Sequence, residues 1–194
     1  MIKLKYPLIL ASKSPRRQQL LREAGFEFTI ETIPVEETYP EDLEISEIPV
    51  FLARKKADAL VPLVKDKIII SADTIVTLES EILGKPASTK EAQDMLHRLS
   101  GKTHIVFSGV CIAIGDQCHS FVDETKVTFK KLQQDEIDYY VKHYAPMDKA
   151  GAYGIQEWIG LVGIERINGS YFNVVGLPVA KLYNTLQYLD LLVI

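Results

Sequence analysis

Short apolar runs alternate along the chain with segments whose apolar residues recur every three or four positions, a division into strands and helices. Leu8-Ile-Leu-Ala11 has the length and character of a buried strand. Ser14 followed by Pro15 then predicts a helix N-cap with proline at the first helical position. That helix carries Leu20 and Leu21 on its inner face and stops at Gly25, a residue free to take the left-handed conformation. Phe26 to Ile33 predicts a second strand. Pro34 to Ile48 is rich in Glu and Pro and predicts an exposed loop, and Ser46 with Pro49 marks the entry to a helix through Phe51 to Ala57. Lys67 to Asp73 is a continuous apolar run closed by a carboxylate, which predicts a central strand with Asp73 at its tip.

The second half continues the alternation. Ser88 to Glu91 is a capping box, followed at helical spacing by Ala92, Met95, Leu96 and Leu99 and closed by Ser100-Gly101. Thr103 to Ile114 and His119 to Phe129 flank Gly115-Asp116-Gln117 as a long antiparallel hairpin. Ile137, Tyr140, Val141 and Tyr144 mark an amphipathic helix closed by Ala145-Pro146. Asp148 to Gln156 keeps neither period, and its two glycines permit close backbone approach to a ligand. Val162 to Ile167 and Ser170 to Val175, on either side of Asn168-Gly169, predict a hairpin with a type I′ turn. Leu177-Pro178 opens the last helix. Helices mixed with hairpins predict an α/β fold around a large mixed, twisted sheet. No internal repeat, low-complexity segment or linker interrupts it, so residues 1–194 read as a single domain.

Composition narrows the function classes. Hydrophobic residues make up 47% and charged residues 25% of the 194, which is globular and leaves enough apolar surface for a sizeable core. The 22 Lys and Arg against 26 Asp and Glu give a net charge of −4, which argues against a broad nucleic-acid face or attraction to an anionic membrane. Any phosphate site must be locally basic. The N-terminal apolar run is too short for a signal peptide, and no stretch approaches membrane-spanning length. Cys111 and Cys118 can face each other across a hairpin, but two thiols in a chain of this size fit a reduced cytoplasmic protein better than a disulfide framework.

Three groups of residues carry candidate chemistry. Ser12-Lys13-Ser14-Pro15-Arg16-Arg17 lies at a strand-to-helix junction, where unpaired backbone N–H groups, hydroxyls and two guanidiniums can converge on phosphate oxygens. A capped surface helix with solvated arginines has the same pattern, and a Walker loop is absent. Glu36-Glu37 and Asp73 are carboxylates suited to a hard cation such as Mg²⁺, although acidic loop residues are also ordinarily solvated. Lys56, Lys85 and Lys149 supply cations that can neutralise phosphate charge. His97, His104, His119 and His143 lack metal-ligand spacing, and no nucleophile-elbow sequence supports a serine-hydrolase triad.

Taken together and in this order, Ser12-Lys-Ser-Pro-Arg-Arg17, Leu52-Ala-Arg-Lys-Lys-Ala57, Ala72-Asp-Thr-Ile-Val76, Gly84-Lys-Pro86 and Lys149-Ala-Gly-Ala-Tyr-Gly-Ile-Gln156 resemble the Maf family, and the resemblance runs on through Asn168-Gly-Ser170 and Val175-Gly-Leu-Pro178. It implies a cytoplasmic nucleoside triphosphate pyrophosphatase with an elongated mixed-sheet fold similar to inosine triphosphatases, two lobes and a central cleft. Arg16, Thr74 and Gln156 resemble the dTTP/UTP branch rather than the 7-methylguanosine triphosphate branch. The roles implied are catalysis by Asp73, Lys56 and Lys85, substrate binding by Ser12, Arg16, Arg17, Thr74 and Gln156, and a divalent cation (Mg²⁺, Mn²⁺ or Co²⁺) held by Glu37 and Asp73. Asp73 is the candidate base. Ser71 and Lys55 depart from the family pattern, where glycine and glutamate are usual. A pyrophosphatase for other modified nucleotides, and a protein restraining cell division through a partner, the role behind the family's septum-formation name, stay open alternatives. The expected partner is a nucleoside triphosphate; neither a membrane nor stable nucleic-acid binding is expected, and a homodimer is compatible with the sequence.

Overall fold

A computed structural model describes residues 2–193. The order of elements is β1 (Lys3–Leu4), β2 (Leu8–Leu10), α1 (Pro15–Glu23), β3 (Thr29–Ile30), α2 (Ile48–Asp58), β4 (Ile68–Leu78), β5 (Glu81–Leu83), α3 (Thr89–Leu99), β6 (Thr103–Ile114), β7 (Gln117–Phe129), α4 (Gln134–Tyr144), α5 (Trp158–Gly163), β8 (Ile164–Asn168), α6 (Tyr171–Val175), α7 (Val179–Tyr188) and β9 (Leu192–Val193). Seven strands form one sheet in the order β3-β2-β4-β6-β7-β8, with β5 also on β4, while β1 and β9 pair separately. β2 runs parallel to both β3 and β4, whereas β5 on β4 and β8 on β7 are antiparallel. The sheet is therefore mixed and the fold is α/β, as the alternation of patterns predicts. No helix among the described residues is long and apolar enough to cross a membrane.

By contact density the chain forms two compact units, residues 1–73, 108–123 and 176–194 in the first and 74–107 and 124–175 in the second. In the first, Ala53 and Ala57 of α2 pack on Ile9, Ile69, Cys111 and Ala113 of the strands. Small residues on the helix let it lie close to the sheet, and Gly109 extends this, since a Cβ there would stand 2.2 Å from the Pro49 carbonyl carbon and the Val50 nitrogen. In the second unit, α3 and α4 bury Leu96, Leu99, Ile137 and Tyr140 against Val106, Val127 and Phe129. Each such aliphatic side chain contributes about 1.5–3 kcal/mol by leaving water.

Three expectations are corrected. Asp73 lies in the middle of β4, because Thr74 to Leu78 continue the strand with β-branched and apolar residues. The strand expected over Phe26 to Ile33 shrinks to two residues, and Phe26 makes only an isolated bridge to Ile2. The Asn168-Gly169 hairpin does not form: β8 pairs with β7, and the chain then enters α6. Tertiary bonds decide the outcome there. The Asn173 Nδ2 donates to the Val106 carbonyl and the Thr125 hydroxyl, which commits residues 171–175 to a helix rather than a return strand. Gly169 is still required, because a Cβ would fall 2.6 Å from the Thr125 hydroxyl oxygen.

Candidate active site

In the first unit the sheet topology places Asp73 where β4 lacks a partner on one edge, even though it is not at a strand end. β2 accompanies β4 only as far as Ile70, where the Ala11 amide still donates to the Ile70 carbonyl, and β5 joins β4 only from Val76. Asp73 lies in the stretch between these partners. β2 departs at this point into the Ser12 junction and α1, so the carboxyl end of β2 and the edge of β4 open on the same space, the usual location of a ligand site in such sheets.

α2 brings Lys56 to this place. Its Nζ lies 2.6 Å from Asp73 Oδ1 and 2.7 Å from Glu37 Oε1, so one ammonium is held between two carboxylates. Lys56 and Asp73 are largely buried, with side-chain exposures of 17% and 13%, whereas Glu37 is exposed. The two departures from the family pattern reinforce this arrangement. The buried Ser71 hydroxyl donates to the Ala53 carbonyl at 2.6 Å and ties β4 to α2, and Lys55 Nζ donates to the carbonyl and hydroxyl of Thr38, which anchors the loop beside Glu37.

The N-terminus of α1 is left without a side-chain cap. The Ser14 side chain makes no cap bond, Pro15 occupies the first turn, and no acidic residue offsets the helix N-terminus. The Ser12 hydroxyl accepts the Ser14 N–H and an Nη1 N–H of Arg17, both at 3.3 Å. Arg17 also donates through Nη1 to the Ala72 carbonyl and through Nε to the Gly176 carbonyl, each at 2.8 Å. It therefore fixes the junction to β4 and to the segment before α7. Burial lowers the Arg17 pKa, Asp73 opposes this, and Arg16 adds to it. Arg16 follows in the first turn, half-buried.

Thr74, Lys85 and Gln156 belong to the second unit. Lys85 follows β5, is exposed and makes no ion pair among the described residues. It borders a pocket of about 210 Å³ whose wall also holds Glu81, Glu91, Asp94 and Arg98, an acidic lining unsuited to a triphosphate. The segment 148–157 is pinned to the Gly84-Lys85 strand end by the Gly151 N–H on the Gly84 carbonyl at 3.1 Å. Gly151 has φ +69, and a Cβ there would lie 3.0 Å from Val76 Cγ1. Gln156 is exposed, at the third position of a turn closed by the Glu157 N–H on the Gly154 carbonyl at 3.0 Å. Lys149 is not an open cation: its buried Nζ lies 3.1 Å from Glu157 Oε1 and 2.7 Å from Asp148 Oδ1.

Sequence patterns pass over four residues that organise this second region. Tyr140 and Glu157 brace the Gln156 turn, and His104 and Tyr153 pair at 2.7 Å beneath the same segment. Tyr140 and Tyr153 look like core aromatics in sequence, and Glu157 and His104 like surface and strand residues. No spacing links them.

An α/β sheet carrying a carboxylate–ammonium–carboxylate cluster beside an uncapped helix N-terminus is an arrangement suited to handling phosphate. The sequence matches the Maf-like protein family over residues 7–189, and the chain belongs to that family. It is 51% identical over 187 residues to a dTTP/UTP pyrophosphatase of Phocaeicola vulgatus and 50% identical to one of Bacteroides fragilis, each match covering 95% of this chain and 97% of the relative. A Porphyromonas gingivalis protein of the same name is 46% identical, with 94% of each chain covered.

Proposed function

We propose that this chain hydrolyses dTTP and UTP at the α-phosphorus, releasing the nucleoside monophosphate and pyrophosphate. The observation that carries this reading is the Lys56 ammonium held between Asp73 and Glu37 beside the α1 N-terminus, in a chain about half identical to proteins named for that activity. Asp73 receives the proton of the attacking water, and Lys56 orients its carboxylate by donating to Oδ1. Arg16 and the N–H groups at the α1 N-terminus meet the charge that grows on the leaving pyrophosphate. Arg17 holds Ser12 and the Asp73 strand in place for them.

The donor set suits a divalent cation. Lys56, Arg16 and Arg17 against Glu37 and Asp73 leave a net of one positive charge, too little to neutralise a triphosphate. Two carboxylates converging on one cationic point are hard oxygen donors of the kind that hold Mg²⁺, Mn²⁺ or Co²⁺ together with substrate oxygens. Among the described residues no group of three or more His, Cys, Asp or Glu could hold a metal ion by protein ligands alone. When bound, the ion supplies charge neutralisation and acidifies water next to it.

Gln156, with Thr74 of the same unit, reads the base. A side-chain amide offers a donor and an acceptor in one plane, matching the carbonyl and N3–H edge of thymine and uracil. Cytosine lacks that N3 proton, and a purine is larger. The free thiols of Cys111 and Cys118 fit a reducing cytoplasm. The test is pyrophosphate release over common and modified triphosphates with each cation. Equal catalytic efficiency for ATP or GTP and for dTTP and UTP, or a base ranking unchanged in Gln156→Ala, refutes the specificity, and a preference for 7-methylguanosine triphosphate assigns the chain to other work.

A further inference from the structure

An exposed glutamine selects a base only if its amide is held in one orientation, and nothing in the Gln156 side chain itself provides that. The turn beneath it does. Gly154-Ile155-Gln156-Glu157 is a four-residue turn with its own closing bond, and a single hydroxyl spans its two ends. The Tyr140 hydroxyl accepts the Gly154 N–H at 3.0 Å and donates to Glu157 Oε2. The other Glu157 oxygen is held by Lys149 at 3.1 Å. A Cβ on Gly154 would lie 2.9 Å from the Glu157 carboxyl carbon and 3.1 Å from the Gln156 Nε2, so the carboxylate and the base-reading amide rest against the same open glycine face.

The brace is rigid at its other end. The Tyr140 ring is fully buried, sits on α4 and stacks on Tyr144 with centroids 5.1 Å apart. Burial and then the Glu157 carboxylate push the phenol up, so the hydroxyl keeps its proton and remains both donor and acceptor. Buried Ile155 fixes the middle of the turn.

We propose that Tyr140 is a positioning residue for base selection, setting the Gln156 amide through the Gly154 N–H and the Glu157 carboxylate. The inference rests on Gln156 reading the base. Without the hydroxyl, the Gly154 N–H and one Glu157 oxygen lose their shared partner, and the amide samples orientations that no longer match the uracil edge. Asp73, Lys56 and Glu37 lie in the other unit and keep their contacts.

The test is a double-mutant cycle on base preference, with kcat and KM for UTP and CTP measured on wild type, Tyr140→Phe, Gln156→Ala and the double variant. Tyr140→Phe keeps the ring, and we expect it to lower the UTP-over-CTP ratio of kcat/KM by at least about fivefold, mostly through the UTP values. In the Gln156→Ala background the same change should leave the ratio within about twofold, because the hydroxyl acts through that amide. Glu157→Gln retains an acceptor for Tyr140 and should keep most of the preference. Glu157→Ala should lose it, and serves as the test if Tyr140→Phe does not fold. The inference is overturned if Gln156→Ala flattens the preference while Tyr140→Phe keeps it. It is equally overturned if Tyr140→Phe slows all triphosphates alike, as a purely structural role would, or if its effect adds fully to that of Gln156→Ala. A preference intact in Gln156→Ala instead removes the base-reading assignment, and the positioning role with it.

Discussion

Replacing His104 by Phe tests the interior of the second unit through pH. His104 lies on β6 with no exposure, its ring stacked on Phe129 at 5.6 Å and edge-on to Tyr153 at 5.3 Å. Nε2 is paired with the Tyr153 hydroxyl, while Nδ1 is buried without a hydrogen-bond partner. An imidazolium needs acceptors for both nitrogens, so burial lowers this histidine from 6.5 to about 4. The folded value lies below the unfolded one, so the unfolded chain binds the extra proton first. The neutral ring's contribution is complete above pH 6.5 and is lost as pH falls through 4. At about 1.4 kcal/mol per pH unit between those values, the full loss is about 3 kcal/mol, of which about 2 is reached by pH 5. Urea unfolding of wild type and His104→Phe at about pH 8, 6 and 5 isolates this share, because Phe fills the ring site, and the unpaired Tyr153 hydroxyl costs the same at every pH. The wild type should lose about 2 kcal/mol more than the variant between pH 8 and 5. Parallel pH dependences would refute the reasoning.

Asp73→Asn should fold normally by circular dichroism and thermal midpoint and lose roughly 10²-fold or more in turnover, since an amide cannot accept the water proton; near-normal turnover removes Asp73 from that role. Lys56→Met should lower turnover yet tighten Mn²⁺ binding in the absence of nucleotide, because Glu37 and Asp73 lose the ammonium held between them. Electron paramagnetic resonance of free Mn²⁺ reads this, and weaker binding contradicts a shared cation position. Gly109→Ala should cost about 3 kcal/mol or more in urea unfolding, because a Cβ would meet the α2 backbone at 2.2 Å with no flexible side chain to yield; a loss below about 1 kcal/mol would show that α2 can move away from β6 without penalty.

Local chemistry made much of the fold legible. Pro15 and Pro49 mark helix entries, the Ser88 hydroxyl caps α3 by accepting the Glu91 N–H, and Ala145 ends α4 in the left-handed conformation before Pro146. The β6–β7 hairpin follows from its two long strand-like runs and the Gly115-Asp116 turn. What failed was decided by distant partners. Asn168-Gly169 carries a genuine turn preference, but Asn173 is captured by Val106 and Thr125 from elsewhere in the chain. Asp73 looks terminal because it closes the apolar run from Ile68, whereas its place in the site comes from where β2 and β5 meet β4. In the candidate site the residue types of Glu37, Lys56 and Asp73 were readable, but not the placement of the ammonium between the carboxylates. Tyr140 and Glu157 left no signal, since a buried aromatic at helical spacing has the same pattern whether or not its hydroxyl braces a turn.

The Arg17 clamp has a consequence for synthesis. Its guanidinium joins Ser12, Ala72 and Gly176, acceptors spread over most of the chain, with Arg17 and Gly176 separated by 159 positions. β2, β3 and β4 can pair once the chain through Leu78 has left the ribosome, but the arginine then lacks one of its acceptors, and loop closure over that separation comes late. A nascent chain thus carries the Lys56 and Asp73 residues long before the junction proposed to meet substrate phosphates is locked. Hydrolytic competence in the first unit arrives with the segment leading into α7, so fragments stalled before Gly176 should be inert toward the nucleotide pool.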